Sequence, residues 1–117
     1  MKEQSLEGLT NELRSFATER DWDQFHSPKN LAMALAVEVS EIIEHFQWLK
    51  EEESASLPPE KLRQVGEEIG DVLIYLTRLA DKLGVNPLQA AFEKLEANRE
   101  KYPIDKAHGS AKKYTEF

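Results

Sequence analysis

Four acidic side chains occupy positions where the helical periodicity of the chain predicts buried apolar residues. They form two pairs, Glu38 with Glu41 and Glu68 with Asp71, and each pair lies in a strongly helical stretch. Because a helix turns about 100° per residue, residues three apart share a face, and both pairs therefore fall inside apolar stripes. Burying an unpaired carboxylate costs several kcal/mol. A cation shared between two helices explains both pairs, so the four acids are candidate metal ligands and catalytic residues.

Carboxylate oxygens are hard ligands, which favour Mg²⁺, Mn²⁺ or Ca²⁺ over softer metals. Mg²⁺ keeps several water molecules and commonly shares its coordination shell with substrate phosphates. The two pairs therefore predict a Mg²⁺ site, with Mn²⁺ as a substitute, that acts on a phosphorylated small molecule. The alternative is that acidic residues form solvated helix faces, and this reading suits the acids that lie off the stripes or between helices: Glu44, Glu51, Glu52, Glu53 and Glu67.

A di-iron centre is a second alternative, because some four-helix bundles hold two iron ions through Glu-x-x-His motifs on two helices. Neither pair has a histidine three residues after its first glutamate, since Glu41 and Asp71 stand there. His45 comes four residues after Glu41, and Tyr75 takes the equivalent place in the second pair. The sequence therefore disfavours a di-iron oxidase.

Apolar periodicity predicts four helices that position the acids. Ser27 and Pro28 are typical of a helix start, and Gly84 is typical of a helix end. The connector over residues 51–59 and the tail over 104–117 lack helical periodicity, and no strand pattern occurs. We expect one all-α domain over 1–117, a four-helix bundle-like fold with a C-terminal tail. The predicted helices run from Ser5 to Arg20, from Ser27 to Lys50, from Glu60 to Leu83 and from Asn86 to just before Pro103.

Composition limits the partners of the chain. The net charge of −7 over 117 residues disfavours a nucleic-acid polymer, whose phosphates require a basic surface. With no cysteine, the chain has no disulfide and no thiolate zinc site. No apolar run approaches the ~18 residues of a membrane span, and the polar N-terminus does not resemble a signal peptide. These features predict a cytoplasmic protein without a membrane partner.

The acidic pattern resembles that of the MazG-like, all-α nucleoside triphosphate pyrophosphohydrolases. In this pattern Glu38-x-x-Glu41 is followed, after 26 residues, by Glu68-x-x-Asp71. The similarity extends from about Leu13 to Tyr114 and is closest to the dCTP pyrophosphatase branch. One departure is Val37, where many members have a further glutamate. Four segments carry the similarity to that branch: Phe16-Ala17-x-Glu19-Arg20-Asp21-Trp22-x-Gln24-Phe25-His26, Phe46-Gln47-Trp48, Asp71-Val72-Leu73-Ile74-Tyr75-Leu76 and Asn98-Arg99-x-x-Tyr102-Pro103.

The resemblance implies hydrolysis of a nucleoside triphosphate between its α- and β-phosphates, with Mg²⁺ on the four acids. It also implies a homodimer or homotetramer, a preference near dCTP and a role in cleansing the nucleotide pool. Tyr75 shares a helical face with Asp71 and can therefore reach the same site. A non-catalytic helical interaction module that keeps a structural metal site is the alternative. Residues that the resemblance assigns to substrate binding are Trp22, His26, Trp48, Lys94 and Asn98.

Overall fold

The computed structural model describes residues 4–117 and confirms the all-α fold class. No strand occurs within the described residues. Two short 3₁₀ turns, Asp23–Phe25 and Tyr114–Glu116, accompany the helices. No helix within residues 4–117 combines the length and the apolarity that a membrane crossing requires. The helices are α1 (Leu6–Glu19), α2 (Pro28–Phe46), α3 (Glu51–Ser54), α4 (Pro59–Leu83), α5 (Pro87–Lys101) and α6 (Ile104–Ala107).

Side chains cap the helices where the sequence predicts their starts. Ser5, Ser27 and Asn86 each accept a hydrogen bond from the backbone N–H three residues later, at 3.0, 3.1 and 3.0 Å. These bonds satisfy amide groups that have no partner inside the helix. Gly84 ends α4 with a φ of 68°, a left-handed conformation that glycine adopts without steric cost. The predicted boundaries of the first, third and fourth helices are therefore confirmed to within two residues.

The predicted connector and tail contain more helix than periodicity indicated. α2 ends at Phe46 rather than at Lys50, and α3 lies within the stretch that we expected to be irregular. Lys50 has an extended backbone, and its N–H donates to the Glu53 carboxylate at 2.9 Å. This local bond starts a new helix one turn after the previous one ends. α6 is a similar short helix within the tail.

Residues 4–85 form one compact unit, in which α1 and α2 both pack on α4. Side chains of α2 and its preceding loop meet those of α4 in reverse order, since His26 contacts Arg78 and His45 contacts Lys61. The two helices are therefore antiparallel. The buried apolar core of this unit is small and comprises Ala17, Leu31, Val65 and Ala80.

α4 also carries a row of apolar side chains that remain partly exposed, although one of them, Leu73, lines a cavity with Leu6 and Leu9 of α1. Leu76 and Leu83 belong to this row and are 42% and 56% exposed. Leu62, Ile69 and Leu73 are exposed on the same face, at 58%, 56% and 42%. These residues form an apolar face of α4 that is about half exposed.

Residues from Asn86 onward form a second compact unit, which contains α5, α6 and the tail. Here the Tyr102 ring makes edge-to-face contacts with Tyr114 and Phe117, both with centroids 5.8 Å apart. The ammonium group of Lys101 lies 5.0 Å from the centre of the Tyr114 ring. The tail is thus tied to the end of α5 by aromatic contacts.

Candidate functional site

Packing of α2 on α4 brings together three of the four predicted acids. Glu38, Glu41 and Glu68 each offer a carboxylate oxygen within 4.8 Å of the other two, and all three are half-buried. Asp71 is exposed and lies outside this group. Its charge still acts on Glu38 and raises the pKa of that carboxyl, after the larger effects of burial and of Glu41. We call Glu38, Glu41 and Glu68 the acid cluster.

The acid cluster is electrostatically unfavourable as it stands. Burial, followed by the neighbouring Glu41, raises the pKa of Glu38. The pKa of Glu68 is also raised, first by the carboxyl group of Glu41 and then by burial. The Oε2 atoms of Glu38 and Glu68 are buried and have no hydrogen-bond partner in the part of the chain that the structure describes. Such orphaned oxygens in an all-oxygen donor set suit a hard divalent cation, so the residues present fit a Mg²⁺ ion.

His45 and Lys61 adjoin the acid cluster. His45 Nε2 lies 3.7 Å from a Glu68 oxygen, and His45 Nδ1 lies 3.3 Å from the Lys61 ammonium nitrogen. The sequence analysis considered His45 only in excluding a di-iron centre, so its contact with Glu68 was not predicted. Its spacing of four residues from Glu41 places it on the same helical face and could have indicated this contact.

Beside the Trp22–His26 loop lies a largely apolar cavity of about 190 Å³, which we call the aromatic pocket. Three predicted substrate-binding residues, Trp22, His26 and Tyr75, line it together. The Trp22 ring meets His26 edge-on, with centroids 6.2 Å apart. Its remaining lining residues are Leu13, Phe16, Ala17, Ile74 and Arg78. Because Tyr75 follows Asp71 by one turn, α4 connects the pocket to the acids.

The other three predicted substrate-binding residues do not line this pocket. Trp48 follows the end of α2 and is 87% exposed. Lys94 and Asn98 belong to α5 in the second unit, where Lys94 is exposed and Asn98 is half-buried. Their assignment to substrate binding stays a prediction.

Sequence reasoning missed Arg78, whose side chain is only 5% exposed. Its Nε donates to His26 Nδ1 at 3.3 Å, and its Nη2 pairs with the Asp23 carboxylate. Lys82 also donates to Asp23, at 3.1 Å, and bonds from Lys82 and Arg78 lower the pKa of Asp23 to about 2. A spacing of seven residues from Asp71 places Arg78 on the same face of α4, which was the available signal.

A second arginine extends this group of charges. Arg14 on α1 binds the Asp81 carboxylate through two nitrogens, at 2.9 and 2.6 Å. Arg78 Nη1 lies 3.6 Å from the same carboxylate. We call Arg14, Asp23, Arg78, Asp81 and Lys82 the paired cluster. It joins α1, the Trp22–His26 loop and α4.

Comparisons with known proteins agree on one family. A model of the MazG-like family matches residues 33–117. dCTP pyrophosphatase 1 of Mus musculus is 44% identical over 117 residues, which cover 98% of this chain and 69% of that protein. The Homo sapiens protein of the same name is 42% identical over the same shares. A pyrophosphatase of Archaeoglobus fulgidus has a crystal structure that matches with a TM-score of 0.81 and 40% identity, covering 88% of this chain and 96% of that one.

Proposed function

The chain belongs to the MazG-like family and is a nucleoside triphosphate pyrophosphohydrolase, and we propose that it cuts its substrate between the α- and β-phosphates with Mg²⁺ as cofactor. The observation that carries this proposal is the acid cluster with its two buried, unpartnered oxygens. Within residues 4–117, no protein cation bonds to either of those two oxygens. A divalent ion would remove the repulsion and suit the donor set.

In this proposal Glu38, Glu41 and Glu68 hold the cation, and Asp71 completes the site from the next turn of α4. Support for Asp71 is its electrostatic effect on Glu38 and its place in the family pattern. When bound, Mg²⁺ supplies positive charge that neutralises the triphosphate and the charge that develops during its cleavage. Glu41 contributes to the raised pKa of Glu68 and, after burial, to that of Glu38, so it acts on both other members of the cluster. We assign Glu41 to orienting the attacking water.

The aromatic pocket binds the nucleobase. Its lining is mostly apolar, and Trp22 and Tyr75 present ring surfaces that suit a flat heterocycle. Trp48, Lys94 and Asn98 are proposed as further substrate contacts on the strength of the family pattern. A preference for dCTP-like substrates is supported by the name of the mouse and human relatives. A role in cleansing the nucleotide pool is proposed from the family resemblance alone.

We also propose that the chain works as a homodimer or homotetramer. Leu62, Gly66, Ile69, Leu73 and Leu76 repeat at alternating intervals of four and three along the exposed face of α4. This interval is typical of a helix that packs along another helix. Large exposed apolar faces on a small chain commonly mark an interface. The molar mass from light scattering should therefore be two or four times 13.4 kDa.

Hydrolysis in ¹⁸O-water tests the site of attack. Attack at the α-phosphorus places the label in the nucleoside monophosphate, whereas label in pyrophosphate would show attack at the β-phosphorus. Turnover should require Mg²⁺ or Mn²⁺ and stop with a chelator. The Glu44→Gln variant, at an exposed position of α2, should retain activity as the matched control. A non-catalytic module would instead show no turnover of any common nucleotide with either metal.

A further inference from the structure

Arg78 is a buried cation in the wall of the aromatic pocket. Its side chain is 5% exposed, and it is held on two sides by Asp23 and His26 from the loop before α2. This arrangement exceeds what packing requires, because a leucine or methionine could fill an apolar wall without a desolvation cost. The bond to His26 therefore has consequences for the chemistry of the pocket.

The direction of that bond determines where His26 carries its proton. A guanidinium group has only donors, so Arg78 Nε donates and His26 Nδ1 accepts, at 3.3 Å. Nδ1 must then have a free lone pair. The neutral imidazole ring consequently has its proton on Nε2. Within residues 4–117, Nε2 has no hydrogen-bond partner, and the ring lines the cavity.

Asp23 holds the other end of the guanidinium group. It accepts from Arg78 Nη2 and from Lys82 Nζ, and its backbone carbonyl accepts from the His26 N–H at 3.2 Å. The loop is therefore anchored to α4 through both its backbone and its carboxylate. This anchoring prevents Arg78 from leaving His26 without breaking its pair with Asp23.

We propose that Arg78 is a positioning residue that fixes the His26 proton on Nε2, so that the aromatic pocket offers one defined hydrogen-bond donor to an acceptor on the nucleobase. The proposal rests on the proposed function for the identity of the ligand. Burial, the charge of Arg78 and that of Lys82 lower the pKa of His26, while Asp23 raises it. The charged groups around the ring thus favour the neutral form on balance.

A donor at Nε2 selects among bases by their acceptors. Cytosine offers a carbonyl oxygen and a ring nitrogen with a lone pair, whereas a nonpolar base of the same size offers neither. Stacking on Trp22 is tolerant of base identity and cannot make this distinction. The Arg78–His26 pair would therefore supply part of the base selectivity.

Nitrogen NMR of the histidine rings tests the tautomer without turnover. At pH 7, the ¹⁵N-labelled wild-type protein should show His26 with protonated Nε2 and unprotonated Nδ1. Arg78→Met should give a mixed tautomer or a charged ring. Arg63→Met is the matched control, because Arg63 is an α4 arginine that bonds two carboxylates but does not line the pocket, and it should keep the wild-type pattern. A proton on Nδ1 in the wild type, or an unchanged ring in Arg78→Met, would overturn the proposal.

The kinetic arm compares dCTP with a triphosphate that carries a nonpolar isostere of its base. Wild type should favour dCTP in kcat/KM by about tenfold through this bond, a typical effect for one hydrogen bond. Arg78→Met should lose most of that preference through KM, with kcat little changed, and Arg63→Met should keep it. An equal preference in both variants would contradict the proposal. If wild type turned over neither compound, the proposed function would fail. The ¹⁵N spectrum of the wild-type His26 ring would still decide the tautomer, and it does so even if Arg78→Met does not fold.

Discussion

Two clusters of charged residues include side chains of α4, and their charges are arranged in opposite ways. In the acid cluster, three carboxylates lie within 4.8 Å of one another, and two of their oxygens have no partner. In the paired cluster, two carboxylates and three cations are bonded to one another. The pKa of Glu38 is raised in the first, whereas the pKa of Asp23 is lowered in the second.

The difference separates structural from functional charge. Opposite charges that are mutually bonded stabilise the folded chain and connect elements distant in sequence, as Arg14 connects α1 to α4. Like charges gathered without partners destabilise the chain unless a ligand neutralises them. A strained cluster retained beside a stable one therefore indicates a binding site.

The largest expected effect is the loss of catalysis when the acid cluster is altered. Glu38→Gln, Glu41→Gln and Glu68→Gln should each lower kcat/KM by about 100-fold or more, because loss of a ligand exceeds the 10–100-fold cost of losing its supporting residues. Helix content by circular dichroism should stay unchanged. Asp71→Gln should behave alike if it completes the site. Near-normal activity with Mg²⁺ in any variant would remove that residue from the ligand set.

The second effect concerns stability and compares two arginines of α4. Arg78→Ala should lower the free energy of unfolding in urea by about 3 kcal/mol, since it leaves a cavity at a buried side chain and breaks the bonds to Asp23 and His26. Arg63 also bonds two carboxylates, those of Glu60 and Glu67, but its side chain is 57% exposed. Arg63→Ala should therefore change stability by a small fraction of that amount. Equal losses would show that burial does not distinguish the two sites.

These two clusters were not equally accessible from the sequence. The acid cluster could be predicted because helical spacing alone places Glu38 beside Glu41 and sets Glu68 on the facing stripe. The paired cluster depends on contacts between Asp23 and Arg78, which are 55 residues apart, and no local period reports such a contact. For the same reason the four long helices were predicted, whereas α3 depends on one bond from Lys50 to Glu53 and was missed.

The third effect is on the pH dependence of the free energy of unfolding, which the two clusters should change in opposite directions. It is measured on the metal-free protein with a chelator present. The folded-state pKa of Glu38 and of Glu68 is raised, so their contribution to stability is present below the ordinary value of 4.5 and is lost as pH rises through the folded pKa. Wild type should therefore gain free energy of unfolding as pH falls from 7 toward 4.5. Glu38→Gln should show a smaller gain.

The contribution of the paired cluster to stability should instead be lost as pH falls. Asp23 has a folded-state pKa of about 2 against 3.8 in the unfolded chain, so its contribution is present above pH 3.8 and is lost as pH falls through about 2. Asp23→Asn should remove part of the acid destabilisation in that range. If both variants shifted the pH profile in the same direction, the contrast between the clusters would be wrong.

The smallest effect tests whether the exposed apolar face of α4 around Gly66 is free or covered by a second copy. A Cβ atom at Gly66 meets nothing within 4 Å, and the residue is in a helix, where glycine costs about 0.5–1 kcal/mol relative to alanine. Gly66→Ala should therefore raise the free energy of unfolding by about that amount in a free chain. In an assembly that packs along Leu62, Gly66 and Ile69, the added methyl group would instead separate the helices.

Urea unfolding at two protein concentrations, together with light scattering, distinguishes the outcomes. Stabilisation at unchanged mass leaves this face free. A lower mass and concentration-dependent destabilisation would place a second copy of α4 against it, so the clusters would have to be compared again within the assembly.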